Sequence, residues 1–441
     1  MTRPTTLAGW LDYLETLHPK SIAMGLDRVT AVAARLALSI DCPVITVTGT
    51  NGKGSTCAML DAMLRAGGYR TGLYSSPHLT RYNERVRIAG READDATLLA
   101  AFNAIEDARV AGGAHGDATP LTYFEFGTLA ALWLFARAAP DVLVLEVGLG
   151  GRLDAVNIVD ADVAVVTTVD IDHVDYLGPT REDIGGEKAG IFRAGRPVVC
   201  GEPDPPASLV AHAREIGAPL LRIGVDFGFV AEGRQWRYRG PGGERFGLPM
   251  PALRGDHQLG NAAVALTVLD ALRDRLPLSA GAIREGLCTV DLPGRFQVLP
   301  GRPTIVLDVA HNPHAAQVLS ATLGAMGFHP TTFAVFGMLA DKDIRGVIEA
   351  TRPRVDRWHV AGLPGPRGAT ADTIVSHLLA AGAPAAAIRA FDSIEAAYHA
   401  AHEEAVEADR ITVFGSFLTV AAALAASRLR ETSVSKTTLH G

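Results

Sequence analysis

The stretch 46–56 carries the residues whose types and spacing fit phosphate chemistry most directly. Its sequence is Thr-Val-Thr-Gly-Thr-Asn-Gly-Lys-Gly-Ser-Thr, a glycine-rich turn between an apolar run at 43–47 and a helical pattern at 55–66. Small residues in such a turn let backbone N–H groups approach an anion at a helix N-terminus. We therefore predict that Lys53 reaches terminal phosphates and that Ser55 faces a magnesium ion.

This loop departs from the usual phosphate-binding pattern, Gly-x-x-x-x-Gly-Lys-Ser/Thr, at two positions. Val47 occupies the place of the first glycine, and Gly54 follows Lys53 directly where serine or threonine is expected. The generic pattern therefore supports a phosphate site only in part, and other segments of the chain are needed to specify it.

Polar side chains also follow two apolar runs that are typical of buried parallel strands. Glu146 lies in the run at 141–147, and His173 follows the run at 163–169. Because the carboxyl ends of parallel strands meet at one edge of a sheet, we expect both side chains near Lys53. Carboxylate is a usual magnesium ligand, so this edge is a predicted metal site. Turn capping by Glu146 and a purely structural His173 are the alternatives.

Composition indicates a globular protein with two or three domains. The chain has 441 residues, of which 48% are apolar and 20% charged, and its net charge of -7 argues against a nucleic-acid binder. The N-terminus lacks an apolar leader, and no uncharged apolar run is long enough to span a membrane. Four widely spaced cysteines favour reduced thiols in a cytoplasmic protein.

The order of apolar patterns predicts an α/β fold in two domains, 1–293 and 294–441. The first is predicted to have two N-terminal helices, a mainly parallel sheet, a loop at 114–120 and a small antiparallel addition at 225–250. A stretch rich in Pro and Gly at 290–303 marks the boundary. Beyond it, strands and helices alternate, which indicates a second, Rossmann-like domain with a mainly parallel sheet.

Taken together, seven strings in one order resemble the Mur ligase superfamily, and within it the folylpolyglutamate synthases and the bifunctional dihydrofolate synthase/folylpolyglutamate synthases. The extra glycine that spoils the generic loop matches the folate-ligase form of that loop. The resemblance covers nearly the whole chain, which makes it specific. The strings lie at 49–55, 74–79 with 83–85, 145–154, 172–175, 187–190, 257–261 and 308–313.

The resemblance implies roles for individual residues around the nucleotide and the metal. ATP phosphates would be held by Asn51, Gly52, Lys53, Gly54 and Ser55. ATP would be contacted from both sides of the domain junction by Asn261, Arg295 and Asp308. The magnesium ligands would be Ser76, Glu146 and His173, with Lys188, as a carbamate, binding a second Mg²⁺. By its helical pattern alone, Lys188 would be an ordinary surface charge.

Substrate residues are also implied by the resemblance. The pteridine end would be bound by Thr122, Phe124, Arg152 and Asp154. The glutamate would be bound near His311 and Ser416. Core packing by Phe124 and turn capping by Asp154 are the structural alternatives.

The activity that the resemblance implies is ATP-dependent ligation of L-glutamate to the carboxylate of dihydropteroate or a folate. The acceptor would pass through an acyl phosphate, with Lys53, His173 and Lys188 as catalytic residues and ATP and Mg²⁺ as cofactors. We expect a cytoplasmic monomer whose partners are small molecules, with no nucleic acid and no membrane. A peptidoglycan-type Mur ligase and a non-catalytic ATP-binding switch are the alternatives.

Overall fold

The fold is described by a computed structural model that covers residues 3–20, 22–111 and 118–438. Most of the loop predicted at 114–120 therefore lies outside the described residues, and residues 118–120 have no regular structure. The chain forms two compact units. One runs to Ala252 and resumes over Gln258–Val290, and the other combines Leu253–His257 with the chain from Asp291 onward. The predicted domain boundary at 293/294 lies a few residues beyond this change of unit.

The first unit contains a mixed sheet, a small antiparallel sheet and the helices that cover them. Its strands are β1 (Val44–Thr48), β2 (Thr71–Tyr74), β3 (Val86–Ile88), β4 (Arg91–Glu92), β5 (Val142–Glu146), β6 (Val163–Val166), β7 (Val198–Cys200), β8 (Leu220–Arg222), β9 (Gly228–Glu232), β10 (Gln235–Gly240) and β11 (Gly243–Pro249). Its helices are α1 (Leu7–Thr16), α2 (Asp27–Leu36), α3 (Lys53–Ala66), α4 (Asp95–Val110), α5 (Tyr123–Ala138), α6 (Val174–Leu177), α7 (Arg181–Ala189), α8 (Ala207–Glu215), α9 (His257–Ala271) and α10 (Ala280–Thr289).

The main sheet of this unit has the strand order β4-β3-β2-β5-β1-β6-β7-β8. From β2 to β8 the neighbouring strands are parallel, and β3 and β4 add an antiparallel edge. Strands β1, β5 and β6 are buried along their whole length, as expected for parallel strands covered by helices on both faces. Strand β1 is the central member of the three, so the loop after it lies between the ends of β5 and β6.

Aromatic packing explains how the N-terminal helices attach to the first unit. The indole of Trp10 on α1 is fully buried and contacts Phe102 on α4 and Phe126 on α5, with ring centres 5.8 and 6.0 Å away. A buried Glu106–Arg109 ion pair on α4 lies beside these rings, and Tyr13 donates its hydroxyl to Glu106 at 2.8 Å. The two predicted N-terminal helices are therefore part of the core of this unit.

The predicted antiparallel addition is the three-stranded sheet β11-β10-β9. Asp270 on α9 fixes it to the unit, because its carboxylate accepts hydrogen bonds from Tyr238 at 2.8 Å and from Arg245 at 2.6 Å.

The second unit has one sheet of order β12-β13-β17-β14-β15-β16, in which β12 is antiparallel to β13 and the other neighbours are parallel. No helix among the described residues is long and apolar enough to cross a membrane. The strands are β12 (Gln297–Leu299), β13 (Thr304–Leu307), β14 (Thr332–Phe336), β15 (Arg357–Ala361), β16 (Ile388–Phe391) and β17 (Arg410–Phe414), and the helices are α11 (Pro313–Ala325), α12 (Ile344–Thr351), α13 (Ala371–Ala380), α14 (Ile394–Glu404) and α15 (Phe417–Thr438).

Candidate active site

The predicted phosphate loop connects β1 to α3. Gly52 caps the helix with a left-handed φ of 88°, so α3 begins at Lys53, two residues earlier than the sequence predicted. The Lys53 ammonium donates hydrogen bonds to the carbonyls of Gly49 at 2.7 Å and Thr50 at 3.1 Å. The lysine side chain thus folds back onto its own loop. The loop lies at the N-terminus of α3, where the helix dipole and free N–H groups favour an anion.

Two threonines after β6 hold the loop in place. The hydroxyl of Thr167 donates to the Asn51 carbonyl at 2.6 Å, and the Asn51 N–H donates to the hydroxyl of Thr168 at 2.9 Å. The Thr50 hydroxyl adds a bond to the Asp170 carbonyl at 3.0 Å. Sequence reasoning missed Thr167 and Thr168. The sequence feature that could have identified them is a pair of threonines directly after the apolar run of β6. The polar residues after β1 and β5 occupy equivalent positions in the sheet.

Replacing Gly49 with alanine is expected to weaken both the fold and nucleotide binding. Gly49 has φ of 151°, and a Cβ there would lie 1.9 Å from the Thr167 hydroxyl oxygen, so Thr167 would have to move. Overpacking of this kind costs about 1–3 kcal/mol. We expect ATP affinity to fall by about tenfold or more, measured by calorimetric titration.

The matched control is Gly68→Ala. Gly68 also has a positive φ, 88°, but a Cβ there would meet no atom within 4 Å. Thermal unfolding should show a loss of stability for both variants, whereas only Gly49→Ala should lose affinity for ATP. Equal ATP affinities in the two variants would contradict the role of Gly49.

The first turn of α9 packs against the phosphate loop. Asn261 donates to the Gln258 side chain at 2.9 Å, and Gln258 is within 3.4 Å of the Ser55 hydroxyl. A Cβ on Gly52 would lie 2.7 Å from the Asn261 side-chain oxygen. The structure thus places the predicted nucleotide residue Asn261 beside the loop. It adds Gln258, to which the sequence analysis gave no role.

Three predicted magnesium ligands follow strands of the main sheet. Glu146 is 4% exposed at the end of β5, and it accepts a hydrogen bond from the Ser76 backbone N–H at 3.2 Å. His173 follows β6 with a left-handed φ of 53°, and its backbone N–H donates to the Asp172 carboxylate at 2.8 Å. A buried carboxylate, a hydroxyl and an imidazole are donors that suit a divalent cation.

This ligand set is unlike a metal site made of acidic, histidine or cysteine side chains alone. Across the described ranges, no group of three or more such residues is arranged to hold a metal ion. The predicted set instead depends on the hydroxyl of Ser76 and on a modified Lys188, so its assignment remains a prediction.

Lys188 is buried, although its helix alone would make it an ordinary surface residue. It lies on α7 and is 3% exposed. Burial and, to a smaller extent, the charge of Lys53 lower the pKa of its ammonium to about 7, and Asp172 opposes this shift. Within the described part of the chain, no hydrogen bond or ion pair engages this ammonium. Lys188 therefore has an enclosed amine with a large neutral fraction near pH 7, which carbamylation requires.

Phe124 belongs to the first turn of α5, and its ring packs against the turn that follows Glu146 at the end of β5. A Cβ on Gly148 would be 2.6 Å from the Phe124 ring, and the ring centre of Tyr74 is 6.0 Å away. Phe124 is only partly buried, so one part of the ring remains available to a ligand. Glycine at 148 is what allows the ring this close approach.

Asp154 caps the turn that begins at Gly148. Its two carboxylate oxygens accept backbone N–H bonds from Leu149 at 2.9 Å and Val156 at 3.0 Å. Burial raises the pKa of Asp154 to about 6, although these bonds and the charge of Lys53 lower it. Since each carboxylate oxygen has a second lone pair, capping leaves acceptor capacity for a ligand.

The two other predicted pteridine residues already have protein partners. Thr122 is the N-cap of α5, where it exchanges hydrogen bonds with Glu125. Arg152 is more than half exposed and pairs with Glu187 at 2.7 Å. Their ligand roles stay predictions.

A cavity of about 870 Å³ lies beside the N-terminal segment that includes Arg28. Its wall includes Arg28, whose guanidinium pairs with Glu125 at 2.9 Å, the same glutamate that caps α5 together with Thr122. The size is typical of a small-molecule site. The cavity is lined by His18, Pro19, Lys20, Ile22, Ala23, Met24, Arg28 and Tyr176.

The remaining nucleotide residues belong to the second unit. Asp308 follows β13, and its carboxylate accepts backbone N–H bonds from Phe296 and Ala310, both at 2.8 Å. Burial raises the pKa of Asp308, and the nearby charge of Arg295 opposes this rise. Arg295 and Asp308 thus lie near each other, and their contact with a nucleotide stays a prediction.

The predicted glutamate residues lie close to Arg295. The guanidinium of Arg295 is 5.0 Å from the centre of the Phe417 ring, and the His311 ring is 6.2 Å from the same centre. Ser416, which precedes α15, is 4% exposed and accepts a hydrogen bond from the Thr419 N–H at 3.2 Å. The second unit therefore gathers these residues around the start of one helix.

Comparison with known proteins assigns both halves of the chain. Residues 47–269 match the Mur ligase middle domain, and residues 294–417 match the glutamate ligase domain of Mur ligases. The chain is 49% identical over 416 residues to an Escherichia coli protein named dihydrofolate synthase/folylpolyglutamate synthase, with 94% of each chain covered. The chain belongs to this family of Mur ligases. It is therefore an ATP-dependent ligase of folate metabolism, which confirms the predicted activity.

Solved structures agree with this family. An Escherichia coli FolC structure in complex with DHPP and ADP is 48% identical, with a TM-score of 0.89, and the match covers 97% of this chain and 99% of that one. A bifunctional folylpolyglutamate synthase/dihydrofolate synthase with Mn, AMPPNP and L-glutamate bound is also 48% identical, with a TM-score of 0.87 and coverage of 96% and 98%. The α/β fold predicted for the two domains is confirmed.

Proposed function

We propose that this chain adds L-glutamate both to dihydropteroate and to folates that already carry glutamate. The observation that carries this proposal is that similar full-length structures hold the corresponding ligands. One contains DHPP and ADP, and another contains L-glutamate with the ATP analogue AMPPNP. A family ligase with the variant loop at 49–55 fits this chemistry better than a non-catalytic ATP switch or a peptidoglycan ligase.

The reaction requires activation of a carboxylate. Attack by an amine on a free carboxylate would have to expel oxide, which is a poor leaving group. Transfer of the ATP γ-phosphoryl group to the carboxylate gives an acyl phosphate and ADP. The glutamate amine then attacks the acyl carbon, loses a proton, and the tetrahedral intermediate expels phosphate to leave an amide. Positioning and charge neutralisation are the main tasks of the protein in such a transfer.

The residues of the first unit divide these tasks. The backbone from Asn51 to Ser55 would bind the phosphates, and Lys53 would offset charge on the transferring group. Ser76, Glu146, His173 and carbamylated Lys188 would hold Mg²⁺, which supplies further charge neutralisation when it is bound. Asn261, beside the loop, would also bind the nucleotide, as would Arg295 and Asp308.

The acceptor would lie on the side of the main sheet where β5 ends. Phe124 would stack on its ring system, and Asp154 would accept hydrogen bonds from the ring edge. His311 and Ser416 would bind the incoming glutamate. We further propose a monomer that works in the cytoplasm, with small molecules as its only partners.

The test is a product assay by mass spectrometry. Purified protein is incubated with ATP, Mg²⁺, L-glutamate and either dihydropteroate or tetrahydrofolate. Each product is expected to be heavier than its acceptor by one glutamyl residue, or by several with the folate, and one phosphate should appear for every glutamyl residue added. Phosphate release that is independent of both substrates would favour the ATP-binding switch instead.

A further inference from the structure

Arg85 is a buried cation that the proposed chemistry does not use. It ends a single helical turn at 82–85 after β2 and is only 9% exposed. Its Nε donates to the His78 ring nitrogen Nδ1 at 2.8 Å, and its guanidinium lies 5.3 and 5.4 Å from the ring centres of Tyr82 and Tyr123. Among the described residues, no carboxylate forms an ion pair with Arg85.

An unneutralised guanidinium is unusual at this depth, because burying a charge without a partner is costly. Arg109, buried to a similar degree in the same unit, is paired with Glu106 at 2.7 Å. The rings around Arg85 attract a cation but carry no negative charge to balance it. The environment of Arg85 therefore contains no neutralising carboxylate from any residue that the structure describes.

The neighbours of Arg85 are also neutral or incompletely bonded. Nδ1 of His78 accepts the Arg85 Nε–H at 2.8 Å, so that ring nitrogen carries no proton in this arrangement. The hydroxyl of Tyr82 is buried and has no hydrogen-bond partner. An anionic ligand at this cluster would neutralise the guanidinium, and it would also be near an unused hydroxyl donor.

The cluster adjoins two parts of the candidate site. The Arg85 carbonyl accepts a hydrogen bond from the Ser75 N–H at 3.0 Å, next to the predicted metal ligand Ser76. Tyr74 is the last residue of β2, directly before Ser75, and its ring centre lies 6.0 Å from that of Phe124. An anion bound by Arg85 would therefore be close to the proposed acceptor.

We propose that Arg85 binds a carboxylate of the acceptor that does not take part in the reaction. This inference rests on the proposed function. Dihydropteroate has a single carboxylate, which must react, whereas a folate that already bears glutamate has a second one. Arg85 thus determines the use of glutamate-bearing acceptors and has little part in the reaction of dihydropteroate.

The experiment compares kcat and KM for the two acceptors in Arg85→Gln and Arg85→Lys. With tetrahydrofolate, Arg85→Gln should lower kcat/KM by at least about 30-fold, mainly by raising KM, because a buried charge pair is lost. With dihydropteroate the change should stay below about threefold. Arg85→Lys keeps the charge and should restore part of the tetrahydrofolate activity.

The control variant is Arg410→Gln, a buried arginine of the second unit that donates to the Leu323 carbonyl and the Thr332 hydroxyl. It tests the loss of a buried guanidinium that has no proposed role with the acceptor, and it should leave the ratio of the two activities unchanged. Calorimetric binding of folate and of pteroate gives a second readout that needs no turnover. Arg85→Gln should weaken binding of folate selectively.

An equal fall in both activities, or equal loss of folate and pteroate binding, would overturn the role of Arg85. So would a wild-type enzyme that ligates glutamate to dihydropteroate alone. A wild-type protein that forms no product with either acceptor would instead reject the proposed function. The binding comparison still tests Arg85 in that case.

Discussion

Lys53→Ala is expected to lower turnover by about 100-fold or more while leaving a folded protein. Lys53 is the cation of the phosphate loop, at the N-terminus of α3, and its removal takes away charge aimed at the transferring phosphoryl group. Its ammonium also donates hydrogen bonds to the carbonyls of Gly49 and Thr50. The variant should therefore lose some order in the loop in addition to the charge.

Two further variants separate these effects. Arg65→Ala removes a cation from the last turn of the same helix, where it pairs with Asp61 at 2.8 Å, and should change stability without a comparable loss of turnover. Lys53→Arg keeps a positive charge but has a planar head that does not reproduce the point charge of lysine. Turnover is measured as ATP-dependent phosphate release with acceptor and glutamate present, and folding by thermal unfolding. A Lys53→Ala enzyme with near wild-type turnover would show that the loop has been wrongly assigned.

The sequence predicted the parts of the site that depend on local pattern. Strand β1, its glycine turn and α3 follow one another within 23 residues, so apolar spacing and turn residues were sufficient to place Lys53. The same holds for Glu146 at the end of a strand of Val and Leu. Strands β3, β4 and β12 were not predicted, because they have only two or three residues and form antiparallel edges that show no period of their own.

The parts that the sequence could not predict depend on contacts between distant residues. Thr167 bonds to Asn51 in the loop although the two are 116 residues apart in sequence. Gln258 contacts Ser55 although they are 203 residues apart. Arg85 lies in the stretch Arg-Tyr-Asn-Glu-Arg at 81–85, whose residue types are as typical of a solvated loop as of a binding site. The packing of Tyr82 and of Tyr123 from α5 around the guanidinium makes it a buried cation. The burial of Lys188 on α7 could not be predicted either, since a helical pattern alone does not distinguish a buried lysine from an exposed one.

Lys188→Met is expected to lower turnover by about 100-fold or more, because it removes a proposed oxygen ligand of the metal. An ordinary lysine, with a pKa near 10.4, is neutral in roughly one molecule in 2,500 at pH 7. At the lowered pKa of about 7, about half of the Lys188 side chains would be neutral. Only the neutral amine attacks CO₂, and the reaction releases one proton as the carbamate forms.

The pH dependence follows from that proton. As the pH falls below about 7, the amine becomes protonated and carbamate formation is opposed, so turnover of the wild type should decrease. Adding bicarbonate should restore part of it, and removing CO₂ at pH 7 should reproduce the loss. Lys188→Met has no amine, so its residual turnover should not respond to bicarbonate. This insensitivity is the internal control for general effects of the salt.

The charge around Lys188 explains why modification matters. A protonated Lys188 would put a second positive charge near Lys53 in an enclosed site and would repel a magnesium ion. The carbamate reverses that sign and leaves one negative charge where Lys53 and the cation both favour it. If wild-type turnover did not change on removal of CO₂, and Lys188→Met lost less than about tenfold, Lys188 would have to act as a neutral amine. The metal would then depend on Ser76, Glu146 and His173 alone.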